Sequence, residues 1–191
     1  MPLRPLKSIG SLVTNQMTKG LHRIARSVGA KKQYLRSFTE RYEQLFAPYR
    51  ERTLTILELG VGGYKNPSSG GGSLRMWAEF FPNAQIVGVD IAEKQLQLPH
   101  NVALHQGSQT DVEFLVDLAA TYSGFDIVID DASHVTEKTI ISFETLWPFA
   151  RLFYVIEDLH MAKAAGTADY FQYIGANFDT PHMCIMAKDG E

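Results

Sequence analysis

The chain has a single cysteine, Cys184, in 191 residues, so it forms no internal disulfide and, lacking cysteine partners, no thiolate zinc site. That thiol lies in the apolar run HMCIMA, where it reads as core packing, and a reducing cytoplasm is the expected setting. Long hydrophobic runs are missing too, since no stretch approaches the ~20 apolar residues of a membrane span. Acidic residues are absent from the first 39 positions, which carry eight Lys or Arg, whereas beyond them ten basic residues face twenty-one acidic ones. The overall charge of −3 therefore conceals a basic arm on an acidic body. Such an arm suits nucleic acid, an anionic membrane surface or removal as an amphipathic presequence. A basic helix lying on the acidic body or on a partner subunit is the preferred reading, so neither nucleic acid nor membrane is the expected partner.

What is present is an ordinary globular composition, 45% apolar and 20% charged, in a length that supports one well-buried α/β core. Residues 1–50 read as the basic arm and its helices, and residues 51–191 as one domain. Met1 to Ser8 form a flexible arm. Val13, Met17, Leu21, Ile24 and Val28 recur at helical spacing and predict an amphipathic helix over Ile9 to Val28, stopped by Gly29. A second helix is expected from Ser37 to Ala47, with Tyr42, Leu45 and Phe46 inward and Pro48 just past its end.

From Leu54 the chain alternates strand and helix. TILELGVGGY is a strand followed by Gly60, Gly62 and Gly63, a nucleotide-type glycine turn after Glu58. The backbone there must turn tightly and approach a ligand closely, which a Cβ would block. KNPSSGGG reads as a loop, and a helix is expected to start near Ser73 as N-cap, burying Leu74, Trp77 and Phe81. The strand Ile86 to Ile91 closes in Asp90, a carboxylate placed to accept hydrogen bonds from ribose hydroxyls. A third strand, Val102 to Gln106, leads into GSQTD and a helix to about Tyr122. The strand FDIVIDD, a helix from about Thr136 to Leu146 and the strand FYVIED follow. A short helix around Tyr170 to Phe178 and a final strand, His182 to Lys188, complete the pattern. Regular alternation of this kind demands a parallel sheet covered on both faces, a Rossmann-like α/β fold.

The chemistry gathers where two of these strands end. Asp130 and Asp131 close one, Glu157 and Asp158 the other, bringing up to four carboxylates to one sheet edge. Such a cluster repels itself unless its pKa values rise or a cation joins it. Oxygen ligands favour a hard ion, with Mg²⁺ ahead of Ca²⁺ or Mn²⁺. His134, three residues past Asp131, is placed to take a proton from something that ion holds. Each residue also has a plain alternative: the acids as ion-pair partners or loop caps, and His134 as a helix-entry hydrogen bonder. His22, His100, His105, His160 and His182 fall in no ligand spacing and read as structural or surface residues.

ILELGVGGY, GGGSLRMW, GVDI, DDASH and YVIEDL, in that order over about residues 38–160, closely resemble the class I S-adenosylmethionine-dependent methyltransferases of the macrolide-sugar type. The resemblance implies a sheet of seven strands, with S-adenosylmethionine over the first two and the acceptor over the fourth and fifth. It implies Mg²⁺ held by Asp131, Glu157 and Asp158, with His134 as general base. Glu58, Gly60, Gly62, Gly63, Tyr64, Ser73, Asp90, Ser108, Gln109 and Asp130 become the cofactor-binding candidates. Where that family carries an acid for the adenine amino group, this chain has Ser108, with Gln109 as a substitute. GAKK, residues 29–32, stands in place of a Gly-Thr-Asp-Lys-like segment. The implied activity is methylation of a hydroxyl, on a sugar of a glycosylated small-molecule acceptor or glycan. Exposed apolar positions on the N-terminal helices suit a homo-oligomer. A non-catalytic cofactor-binding scaffold and a cephalosporin-hydroxylase-like protein are the alternatives.

Overall fold

Short apolar runs ending in polar residues become the strands β1 (Thr55–Leu59), β2 (Gln85–Asp90), β3 (Val102–Gln106), β4 (Phe125–Asp130) and β5 (Ala150–Glu157) of one parallel set. The computed structural model describes residues 20–34, 36–158, 177–180 and 183–188. Two further strands, β6 (Asn177–Thr180) and β7 (Met183–Ala187), add antiparallel pairings, and the sheet runs β3-β2-β1-β4-β5-β7-β6. The mostly parallel α/β sheet follows the alternation in the sequence.

Side chains alternate across the sheet and divide the core into two layers. On one face Ile56, Ile86, Ile127, Phe153 and Ile185 meet the helices α1 (Leu21–Ser27), α2 (Arg36–Phe46) and α3 (Gly72–Phe80). Tyr42 meets Trp77 edge to face with ring centroids 5.0 Å apart, and Phe46 lies 5.8 Å from Phe153. The described N-terminal helices are thus part of the main core. On the other face Leu57, Val87, Val128, Tyr154 and Cys184 pack against α4 (Val112–Thr121) and α5 (Thr136–Leu146). Burial pushes the Cys184 thiol up to about 12, as expected of an inert packing residue.

Three local expectations change. The helix expected over Ile9 to Val28 is described only from Leu21, and the arm before residue 20 lies outside the described residues. Helix α3 begins at Gly72 rather than with a Ser73 cap. Gly71 occupies the N-cap with φ 71°, a left-handed backbone that glycine adopts without strain, and makes no side-chain cap. The helix expected around Tyr170 to Phe178 falls mostly outside the described residues, but Asn177 and Phe178 are in a strand. Their pairing opposite Ile185 and Cys184 supplies backbone hydrogen-bond partners along the β7 edge, and that tertiary pairing overrides local pattern. Among the described residues no helix is long and apolar enough to cross a membrane.

Candidate active site

A cleft of about 740 Å³ opens outside the carboxyl ends of β1, β2, β4 and β5, within the size range of small-molecule sites. Register brings its parts together. Leu59 pairs with Asp130, and Asp130 with Ile156, so the turn after β1 lies beside Asp131 and that in turn beside Glu157. The amide of Asp131 donates to Leu59 O at 2.9 Å, and that of Gly60 to Val89 O at 2.8 Å.

The glycines of the first turn do different work. Gly60 has φ 89°, and a Cβ there would lie 2.2 Å from the carbonyl oxygen of Asp131, so this glycine lets two strand ends close on each other. A Cβ on Gly63 would collide with Ser69 O, which packs the loop against the turn. Gly62, with φ 75°, would point a Cβ into open space and lines the cleft, leaving a bare backbone cradle. The loop is held by Lys94, whose Nζ donates to Tyr64 O and Asn66 O. Tyr64 itself is exposed, with φ 49°, and Lys31 lies over its ring.

Asp90 accepts from the Val61 amide at 3.0 Å through Oδ2 and from the Ala92 amide at 2.9 Å through Oδ1. Each oxygen keeps further acceptor capacity, and Asp90 lines the cleft. Ser73, in the first turn of α3, and Ser108, bonded to Thr110 at 2.9 Å, also line it. Glu58 and Asp130 do not: both are buried behind the lining, on opposite faces of the sheet.

At the other end of the cleft, ligand atoms of Asp131, His134 and Asp158 lie within 4.8 Å of one another. His134 Nε2 stands 4.0 Å from Asp131 Oδ1 and 4.0 Å from Asp158 Oδ2. Both His134 and Asp158 have φ 54°, a conformation uncommon outside glycine that turns both side chains back over the strand ends. Glu157 lines the cleft but is directed to a different partner. Its Oε1 accepts from Lys32 Nζ at 2.6 Å and from the Tyr42 hydroxyl at 2.5 Å.

Lys32 and Tyr42 come from the N-terminal helical segment. Lys32 Nζ also donates to Asp131 Oδ2 at 2.8 Å and lies 3.3 Å from Glu58, so one buried ammonium answers three carboxylates. Burial alone would lower its pKa, but Asp131, Glu157 and Glu58 outweigh that and hold it well above the usual value. Burial raises the carboxyls of Glu157 and Glu58, and Lys32 draws both back. Sequence reading missed this residue, treating GAKK only as a departure from a motif. The available signal was a lysine just past a helix stop in a chain with unpaired strand-end acids.

Asp130 points the other way, towards α5. Its Oδ2 accepts from Ser142 Oγ at 2.5 Å, and Gln109 Nε2 lies 3.4 Å from Oδ1. Burial pushes its carboxyl up to about 6, against the pull of the Ser142 hydroxyl and the Ala132 amide. Ser142 is the other residue that sequence reading missed; a serine on the buried face of α5 carries no local signal.

No protein-family model matches the chain. In fold it is similar to solved methyltransferases, including at 15% identity a TDP-rhamnose 3'-O-methyltransferase of calicheamicin biosynthesis, with a TM-score of 0.55, over 94% of this chain and 97% of that one. A nearer likeness is to the MycE methyltransferase of the mycinamycin biosynthetic pathway, solved in complex with Mg, SAH and mycinamycin VI. The TM-score is 0.78 at 33% identity, over 92% of this chain and 57% of that one. Among curated proteins, the chain is 47% identical over 135 residues to mycinamicin VI 2''-O-methyltransferase of Micromonospora griseorubida, which is 70% of this chain and 34% of that protein. It is 44% identical over 144 residues to 8-demethyl-8-alpha-L-rhamnosyl tetracenomycin-C 2'-O-methyltransferase of Streptomyces olivaceus, 73% of this chain and 38% of that protein. Demethylmacrocin O-methyltransferase of Streptomyces fradiae is 45% identical over 131 residues, 68% of this chain and 33% of that protein. The macrolide-sugar resemblance read from the motifs therefore holds across about two thirds of the chain. The matched region spans about a third of the length of these curated relatives.

Proposed function

We propose that this protein acts as an S-adenosylmethionine- and Mg²⁺-dependent O-methyltransferase on a sugar hydroxyl of a glycosylated small molecule. The observation that carries this reading is a single cleft with a bare glycine cradle at one end and Asp131, His134 and Asp158 at the other. Identities of 44–47% to sugar O-methyltransferases support it. Carboxylates with an imidazole in reach form an oxygen-rich donor set suited to a hard cation.

When bound, S-adenosylmethionine supplies an electrophilic methyl on a sulfonium, and Mg²⁺ lowers the pKa of the hydroxyl it polarises. The backbone of Gly60 to Gly63 receives the cofactor, and Asp90 takes its ribose hydroxyls with the lone pairs left by Val61 and Ala92. Asp131 and Asp158 hold the cation, with Glu157 kept beside them by Lys32 and Tyr42. His134 Nε2 would take the proton of the acceptor hydroxyl, while the cofactor would supply the methyl and depart as a neutral thioether. Holding two reactants in line is worth on the order of 7–11 kcal/mol when alignment is good.

Calorimetric titration with S-adenosylmethionine, with and without Mg²⁺, tests the reading. The wild type binds both. Asp131→Ala retains the cofactor and loses the metal, and His134→Ala retains both but turns over glycosylated acceptors at least ~100-fold more slowly. A wild type that binds neither ligand sinks the proposal, and a His134→Ala variant with full turnover removes the base.

A further inference from the structure

Resting on the proposed function, we infer that Gln109 is a positioning residue for the turn that carries His134, and that it mechanically joins the two ends of the cleft. The turn from Asp131 to Val135 leaves β4 with its amides pointing several ways. Asp131 donates to Leu59 O, and the amides of Ala132 and Val135 are met by side chains two residues back, Asp130 and Ser133. The Ser133 amide is different, because it donates at 3.0 Å to Gln109 Oε1, 24 residues away on the loop after β3. This bond falls one residue before His134, whose φ of 54° needs outside support.

The Gln109 amide has one orientation that works. Oε1 must face the Ser133 N–H, which needs an acceptor, and Nε2 must face Asp130 and the Ser142 hydroxyl, 3.4 Å away. Asp130 is in turn fixed by Ser142 of α5. Gln109 is 8% exposed, Asp130 3% and Ser142 0%, so water does not readily replace these partners. The chain Ser142, Asp130, Gln109, Ser133 therefore runs from α5, behind the cleft, to the cleft-lining Gln109 and the turn. It ties the loop that bears Ser108 to the residue beside His134.

Gln109→Met keeps length and removes both bonds, and Ser142→Ala releases Asp130 from a position outside the cleft. Hydrogen exchange at individual amides is measured on the unliganded full chain, with S-adenosylhomocysteine and Mn²⁺ titrated in parallel. In Gln109→Met the Ser133 amide exchanges on the order of tenfold faster while the amides of β1 and β4 are unchanged. Mn²⁺, held in the proposed function by Asp131 at the start of the same turn, binds about tenfold more weakly, as for other supports behind a ligand. Ser142→Ala moves the Ser133 amide in the same direction by a smaller factor, and decides the matter if Gln109→Met does not fold. Unchanged Ser133 exchange in the folded variants overturns the inference, as does loss of S-adenosylhomocysteine binding with Ser133 still protected, which makes Gln109 a cofactor contact. A wild type that binds neither probe defeats the functional reading instead, and the Ser133 amide still decides the role of Gln109.

Discussion

Asp130 and Asp131 are neighbours in sequence at one strand end, yet they face opposite environments. Asp131 shares an ammonium with Glu157 and Glu58, so on that side of the sheet a cation from the N-terminal segment meets the carboxyls and draws Glu157 and Glu58 back against the rise that burial imposes. Asp130 meets the Ser142 hydroxyl, the Gln109 side-chain amide and the Ala132 N–H, and burial pushes its carboxyl up to about 6. A protein thus has two kinds of partner with which to seat a buried carboxyl beneath a site, a cation or neutral hydrogen-bond donors. Here the cation serves the side on which Asp131 and Glu157 line the cleft, and neutral donors serve the acid that supports a turn.

Removing the ammonium breaks the comparison most severely. Lys32→Met strands three carboxylates around one buried position and is expected to cost about 3–5 kcal/mol, the range for breaking a buried ion pair from one side. Urea unfolding at neutral pH measures it. A loss near zero means that the acids protonate or reach water once Lys32 is gone, and the two sides then differ less than their partners suggest.

The Asp130 side is tested by pH. The folded protein holds the Asp130 proton to about pH 6, whereas an unfolded aspartate loses it near 4. Between those values the folded state binds more protons, so Asp130 makes stability fall as pH rises from about 4 to about 6 and then level off. The full effect is on the order of 3 kcal/mol at 1.36 kcal/mol per unit. In Asp130→Asn this component of the stability profile disappears. An Asn variant that tracks the wild type across the window contradicts the assignment.

A smaller loss follows from Tyr42→Phe, which removes a hydroxyl from Glu157 but leaves Lys32 in place. It is expected to cost about 1.5–3 kcal/mol, the range for a bond to a charged group. Measured in the Lys32→Met background the two losses do not add, because both act on one Glu157 oxygen.

Much of this arrangement could be read from the chain, and for identifiable reasons. Buried strands such as FDIVID and helices such as Thr136–Leu146 carry their own hydrophobic period, so their existence and order follow locally. The acids at strand ends were visible because register turns a motif into a place. Lys32 was not, since its hydrogen-bond partners Asp131 and Glu157 lie 99 and 125 residues further on and nothing local distinguishes it from Lys31, which remains exposed. The start of α3 misled because Ser73 is an ordinary cap residue while Gly71 supplies the turn by backbone alone. β6 was missed because its strand character comes from an edge offered by β7.

The division of labour in the first glycine turn bears on how such chains diverge. Gly60 is demanded by a neighbouring strand whether or not a ligand ever enters, whereas beyond the left-handed φ of Gly62 a Cβ there would meet no protein atom within 4 Å. A descendant that gave up its nucleotide would therefore keep the first glycine and let the second drift. Loss of the motif's middle letter, rather than its presence as a whole, is the mark by which retired members of such a lineage could be told from working ones.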